Sequence, residues 1–106
     1  MSGSGGFRGY EPPARIQFDC QSGTIKTNLS SVVLSILAIH NVGDVLNVEI
    51  GPTGALILIN NNRQIIGSIM HANTRDIIQC INAGNSYIGE IISIITPVCT
   101  VIIRRV

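Results

Sequence analysis

The chain has no tryptophan, and its aromatic share is only 4%. Charged residues reach 12%, about half the share of an ordinary soluble domain. With so little charge, the surface has to be covered by Asn, Ser, Thr, Gln and Gly, or part of it has to be apolar. An apolar part calls for a partner or a second copy to cover it. The seven basic and six acidic residues leave a formal net charge of +1. That balance excludes the electrostatic footprint of a non-specific nucleic-acid binder. A long apolar run is also missing. The longest uncharged stretch, Thr27 to Gly43, is broken by Asn28, Ser30, Ser31, Ser35, His40 and Asn41. Ile91 to Ile103 is shorter and contains Pro97. Neither approaches the roughly 20 apolar residues of a spanning helix. Met1 to Gly6 has no apolar core of the kind a secretory leader needs, so a cytoplasmic location is the expectation.

Cysteine is scarce and oddly counted. Cys20, Cys80 and Cys99 lie far apart in sequence, and a chain of 106 residues can form one core without cross-links. Free thiols in a reducing compartment are therefore expected, with Cys20 and Cys99 as small core residues on strand faces and Cys80 beside an apolar helix face. With His40 and His71 these cysteines are the only soft ligands. None has CxxC or HxxxH spacing, so no metal site is expected. No GxSxG or other nucleophile motif occurs, and the six acids are scattered. Gly51-Pro52-Thr53-Gly54 lacks the spacing and the lysine of a phosphate loop and reads as a turn between strands. No cofactor and no enzymatic activity are expected.

What is abundant is aliphatic. The hydrophobic share is 45%, mostly isoleucine with valine and leucine next. β-Branched side chains are stiff and suit pleated sheets, which favours a β-rich core. Residues 1–14 read as a Gly/Pro-rich tail. Phe7 and Tyr10 within it would either staple it to the body or dock a partner. A single domain covers residues 15–106. Alternation marks a first strand at Arg15 to Cys20, with Ile16, Phe18 and Cys20 on one face, and a second at Thr24 to Leu29 antiparallel to it. Ser31 to Ile39 reads as a short buried helix.

Further strands are expected at Val45 to Ile50, Ala55 to Ile59, Gln64 to Met70, Tyr87 to Ile95 and Cys99 to Ile103. Leu46, Val48 and Ile50 should point inward. The strand at Ala55 to Ile59 is apolar on both faces, so it is either central or part of an interface. Gly67 suggests a bulge or bend where the sheet curls. Asn73 to Ala83 reads as a helix, with Asn73 as N-cap, Asp76 in the first turn and Gly84 as its stop. Arg104-Arg105 reads as a solvated tail. The fold class is thus mainly β: a small barrel or curled antiparallel sheet of five to seven strands with one or two short helices.

The order Val42-Gly43-Asp44-Val45-Leu46, then Ala55 to Leu58, Gln64 to Ile69, the helix Asp76 to Gly84 and the strand Tyr87 to Ile94 resembles the HIRAN domain. That family is a small β-barrel found alone in bacteria or fused to helicases and nucleases. The resemblance implies binding of single-stranded DNA ends. The segment expected to contact DNA is here Ile50-Gly51-Pro52-Thr53-Gly54, without tyrosine or acid, which leaves Tyr87 as the stacking residue of the body.

Three functions remain. The first is an accessory module that self-associates or docks on a larger protein through Leu56, Leu58, Ile92, Ile94 and Ile102, which have few charges to deter edge pairing. The second is nucleic-acid binding by Lys26, Arg63, His71, Arg75 and Tyr87 converging on one groove. The third is an anionic ligand at the N-terminus of the second helix, near Arg75 and His71.

Overall fold

The computed structural model describes residues 18–106; residues 15–17 of the strand expected at Arg15 to Cys20, and the tail at 1–14 with Phe7 and Tyr10, lie outside them. Six antiparallel strands and two short helices follow in the order β1 (Thr24–Asn28), α1 (Leu34–Leu37), β2 (Val45–Ile50), β3 (Leu56–Ile59), β4 (Ile65–Ser68), α2 (Thr74–Asn82), β5 (Tyr87–Ile95) and β6 (Val98–Arg105). The strands form one sheet ordered β1-β6-β5-β2-β3-β4, curled into a half-barrel. The mainly β fold expected from the isoleucine-rich composition is therefore present.

Alternation explains the register. In β2, Leu46 and Val48 enter the core while Asn47 faces out. In β6, Cys99, Val101 and Ile103 face inward, opposite Ile94, Ile91 and Gly89 of β5. Ile92 is the extra residue of a bulge, since Ile91 pairs Val101 and Ser93 pairs Thr100. The long β5–β6 hairpin ends at a cis Thr96–Pro97 bond, with Ile95 opposite Val98 at its tip.

One end of the curl closes through the backbone. Beyond β1, Leu29 N–H donates to the Cys99 carbonyl of β6. The next residue, Ser30, exchanges two 2.8 Å bonds with Ser68 of β4. Val33 N–H then donates to Ile66 O. The chain thus crosses from one sheet edge to the other within five residues. Gly67 permits the crossing, because a Cβ there would lie 2.9 Å from Ser30 O and 3.2 Å from Leu29 Cβ. The bulge expected near Gly67 is found beside it, where the register shifts between Leu58 and Ile59.

The other end is covered by side chains. Helix α2 forms where its apolar positions share a face: Ile77 and Cys80 are buried, and Ile78 and Ile81 pack against the core. Asn73 Nδ2 donates to Asp76 Oδ2, and Gly84 (φ +105°) ends the helix, with Asn85 N–H reaching back to Cys80 O. A disulfide joins Cys80 to Cys20, sixty residues away in sequence. Tyr87, its ring tilted by 56° against Phe18 with centroids 5.8 Å apart, donates its hydroxyl to the Cys20 carbonyl at 2.6 Å.

Several expectations change. Residues 18–20 are not strand: the Asp19 carboxylate accepts from the Gln21 and Ser22 amides and makes a turn. Strand β1 pairs with β6, which is distant in sequence. Helix α1 has four residues, of which only Leu37 is buried. Cys20 and Cys80 are cross-linked, and only Cys99 is a free buried thiol, so the cysteine argument for a reducing compartment falls. Arg104 and Arg105 belong to β6: Arg104 pairs with Glu90 at 2.8 Å, and Arg105 Nε donates to Asn85 Oδ1. No helix among the described residues is long and apolar enough to cross a membrane.

Candidate functional site

Among the described residues, a cluster of linked polar side chains lies where the connection from α1 to β2 meets the β3–β4 turn. Asn60, the one buried polar residue among those described, ends β3. Its Oδ1 accepts from the backbone N–H of Asn62 and of Gln64, each at 2.9 Å. Those two donors fix the amide's orientation. Nδ2 must then point the other way, toward Gln64 Oε1 at 2.9 Å and His40 Nε2 at 3.1 Å. A nitrogen facing an N–H donor has to accept, so Nε2 of His40 carries the lone pair. The ring proton sits on Nδ1 and is donated to Asp44 Oδ2 at 2.9 Å. The Asn41 N–H first, then this His40 bond, holds the Asp44 carboxyl below its ordinary range.

An Asp–His pair of this kind is half of an acid–base relay, but its accepting nitrogen is occupied by Asn60. The geometry favours a structural clasp over a general base, which needs a free lone pair within reach of a substrate proton. The recess beside it, about 480 Å³, is lined by Ile39, His40, Asp44, Val45, Leu46 and Asn60 to Asn62. His40 and Asp44 were visible in sequence only as isolated residues. The spacing of four across the Asn41-Val42-Gly43 turn is a local cue, whereas the link to Asn60 spans twenty residues and leaves no pattern.

The expected interface residues separate. Leu56 and Leu58 are 0% exposed and belong to the core, because β3 is covered on that face by the barrel interior. Ile94 is half-buried and also packs inward against the core. Ile92, at the bulge, and Ile102 stay half-exposed and outside the core cluster. On the outer face the pairing places Val45, Glu90, Ile102 and Lys26 in one row across β2, β5, β6 and β1. The next row is Asn47, Ile88, Arg104 and Thr24. Charges therefore do interleave with the apolar groups.

The expected cationic groove is not assembled. Tyr87 is buried, and burial pushes its phenol up. It is a core and bonding residue, not an exposed stacking platform. Arg63 (φ +63°) is committed to Glu49 at 2.6 Å. Lys26 stands on the outer face of β1. Only His71 and Arg75 come together, in a recess of about 560 Å³ with Ala72, Thr74 and Ile78 at the start of α2. His71 Nδ1 there accepts from the Asn73 N–H. No group of three or more His, Cys, Asp or Glu side chains among the described residues could hold a metal.

No family model matches the chain, and no curated protein or solved structure is detectably similar to it.

Proposed function

We propose that the chain is a non-enzymatic binding module that acts through protein–protein contacts, with a second copy of itself as the partner. The observation that carries this reading is the outer row Val45–Glu90–Ile102–Lys26. Val45 is 49% exposed, and neighbouring Val42 is 59% exposed. Ile102 stands between an acid and a base one strand away on either side. A twofold axis along β6 would set Ile102 against Ile102 and Lys26 of one copy opposite Glu90 of the other. Two sheets packed face to face at about 10 Å satisfy both contacts. The cross-link between Cys20 and Cys80 supports a site of action where disulfides persist.

Light scattering on the eluting protein tests this. A dimer is expected at micromolar concentration, with Ile102→Glu or Lys26→Glu shifting it to monomer and leaving the circular dichroism spectrum unchanged. A wild-type chain that stays monomeric, or a dimer indifferent to both changes, removes the reading.

A second reading is favoured by the recess where His71 and Arg75 meet: a small anion held at the start of α2. Thermal stabilisation by inorganic phosphate or a nucleotide panel, lost in Arg75→Ala, is the expected result. No stabilisation by any of them removes it. DNA-end binding, implied by the HIRAN resemblance, is less supported, because Tyr87 is inside the core.

A further inference from the structure

The Asn60 amide makes the state of His40 a structural variable. With Nδ1–H given to Asp44 and Nε2 accepting from Asn60, both ring nitrogens of His40 and both ends of the Asn60 amide have complementary partners. A second proton on His40 preserves the Asp44 bond but puts an N–H donor on Nε2, facing the Nδ2 donor of Asn60 at 3.1 Å. Two donors at that distance repel. Rotating the amide by half a turn would present Oδ1 to His40, yet it would also aim Nδ2 at the Asn62 and Gln64 amides. Three hydrogen bonds would then be lost to regain one.

We propose that His40 is a pH-sensitive latch that holds the β3–β4 turn, residues 60–64, to the connection between α1 and β2 and releases it when the ring takes up a second proton. The charged surroundings are simple. Asp44 is the only charged residue lining the recess, and it bonds the nitrogen that keeps its proton in both states. From the turn itself Arg63 is already paired to Glu49 of β2. The side chains that approach Nε2 are neutral, so the donor–donor conflict is not relieved by a nearby acid. Ile39 and Val45, both exposed, line the same recess, so release would reshape a rim shared with the outer face. The latch stands apart from the dimer reading, since it concerns one chain alone.

Nitrogen-15 spectra of the histidine rings and amide hydrogen exchange of the full chain test it across the interval in which histidines change charge, about pH 8 to about pH 5. At the upper end His40 should show the proton on Nδ1. On acidification, protection of the Gln64 amide, corrected for intrinsic exchange, should fall about tenfold, while Ser30 and Ser68 at the closed end keep theirs. Asn60→Asp supplies an oxygen that accepts from Nε2–H, and it should abolish the acid-induced loss. A proton found on Nε2 at high pH, or Gln64 protection unchanged between the two limits, overturns the proposal. So does an equal acid-induced loss in Asn60→Asp.

Discussion

The two ends of this half-barrel are closed by different physics. At the Cys99 end of β6 the closure is backbone: Ser30 exchanges bonds with Ser68, and the chain fits only because Gly67 has no side chain. At the Arg105 end the closure is made by side chains: a disulfide, one tyrosine hydroxyl and the apolar face of α2. Backbone pairing is short-range and demands a small residue at one place. Side-chain closure joins positions that are remote in sequence and leaves each free to be altered chemically. None of Leu29, Ser30, Ile66, Gly67 and Ser68, which make this first closure, carries a titratable side chain, whereas the second closure includes a disulfide.

The largest effect should come from cutting the cross-link. Opening a loop of sixty residues removes about 4 kcal/mol on the chain-entropy account. Urea unfolding of Cys20→Ala, or of wild type in excess dithiol, should show a midpoint lowered accordingly. Alkylation of the unfolded, unreduced chain should label one cysteine of three, namely Cys99. Buried at the hairpin, with its thiol pushed up by desolvation, Cys99 should resist label until the chain unfolds. Three labelled cysteines before reduction would mean that the side-chain end is held without its staple.

Next in size is Gly67→Val, which drives a branched side chain against the Ser30 carbonyl and Leu29. A loss of about 3 kcal/mol is expected, with amide protection lost at Ser30 and Ser68 but kept in α2. Protection lost equally at both ends would show that they do not act separately. The smallest effect concerns acid. Backbone bonds from Gln21, then Ser22, lower the Asp19 carboxyl below its ordinary value. Its contribution is therefore present above the unfolded value of about 3.9 and is lost as pH falls through the lowered one. Exchange of the Gln21 amide should accelerate below about pH 4 while the closed end stays protected. Equal protection at pH 6 and pH 3 would dismiss Asp19 as an ordering group.

This contrast also explains which parts of the molecule were legible in the sequence. β2 and β5 begin and end at the expected residues, and α2 differs by one residue at each end. Their apolar periods are bounded by Gly43, Gly51, Gly84 and Pro97. Leu56 and Leu58 were misplaced because a strand apolar on both faces does not reveal which face the barrel covers. Phe18 to Cys20 has the alternation of a strand, yet Asp19 bonds its own following amides first. The disulfide and the His40–Asn60 contact were illegible for one reason: each is a single long-range meeting of residues, without repetition along the chain. Of the five candidate cation and aromatic positions, only His71 and Arg75 meet, and they are four residues apart at one helix start.

Gly89 carries a constraint of another kind. A methyl group added there would sit 2.7 Å from Leu58 Cδ1 and 3.0 Å from Ile103 Cδ1. The leucine on β3 occupies the room that β5 leaves vacant, although the strands are separated by β2. Positions 58 and 89 therefore share one parcel of volume and have a joint allowance. A chain that gained alanine at 89 would accept valine or alanine at 58 more readily than leucine, so sequence drift at either position is rationed by the other.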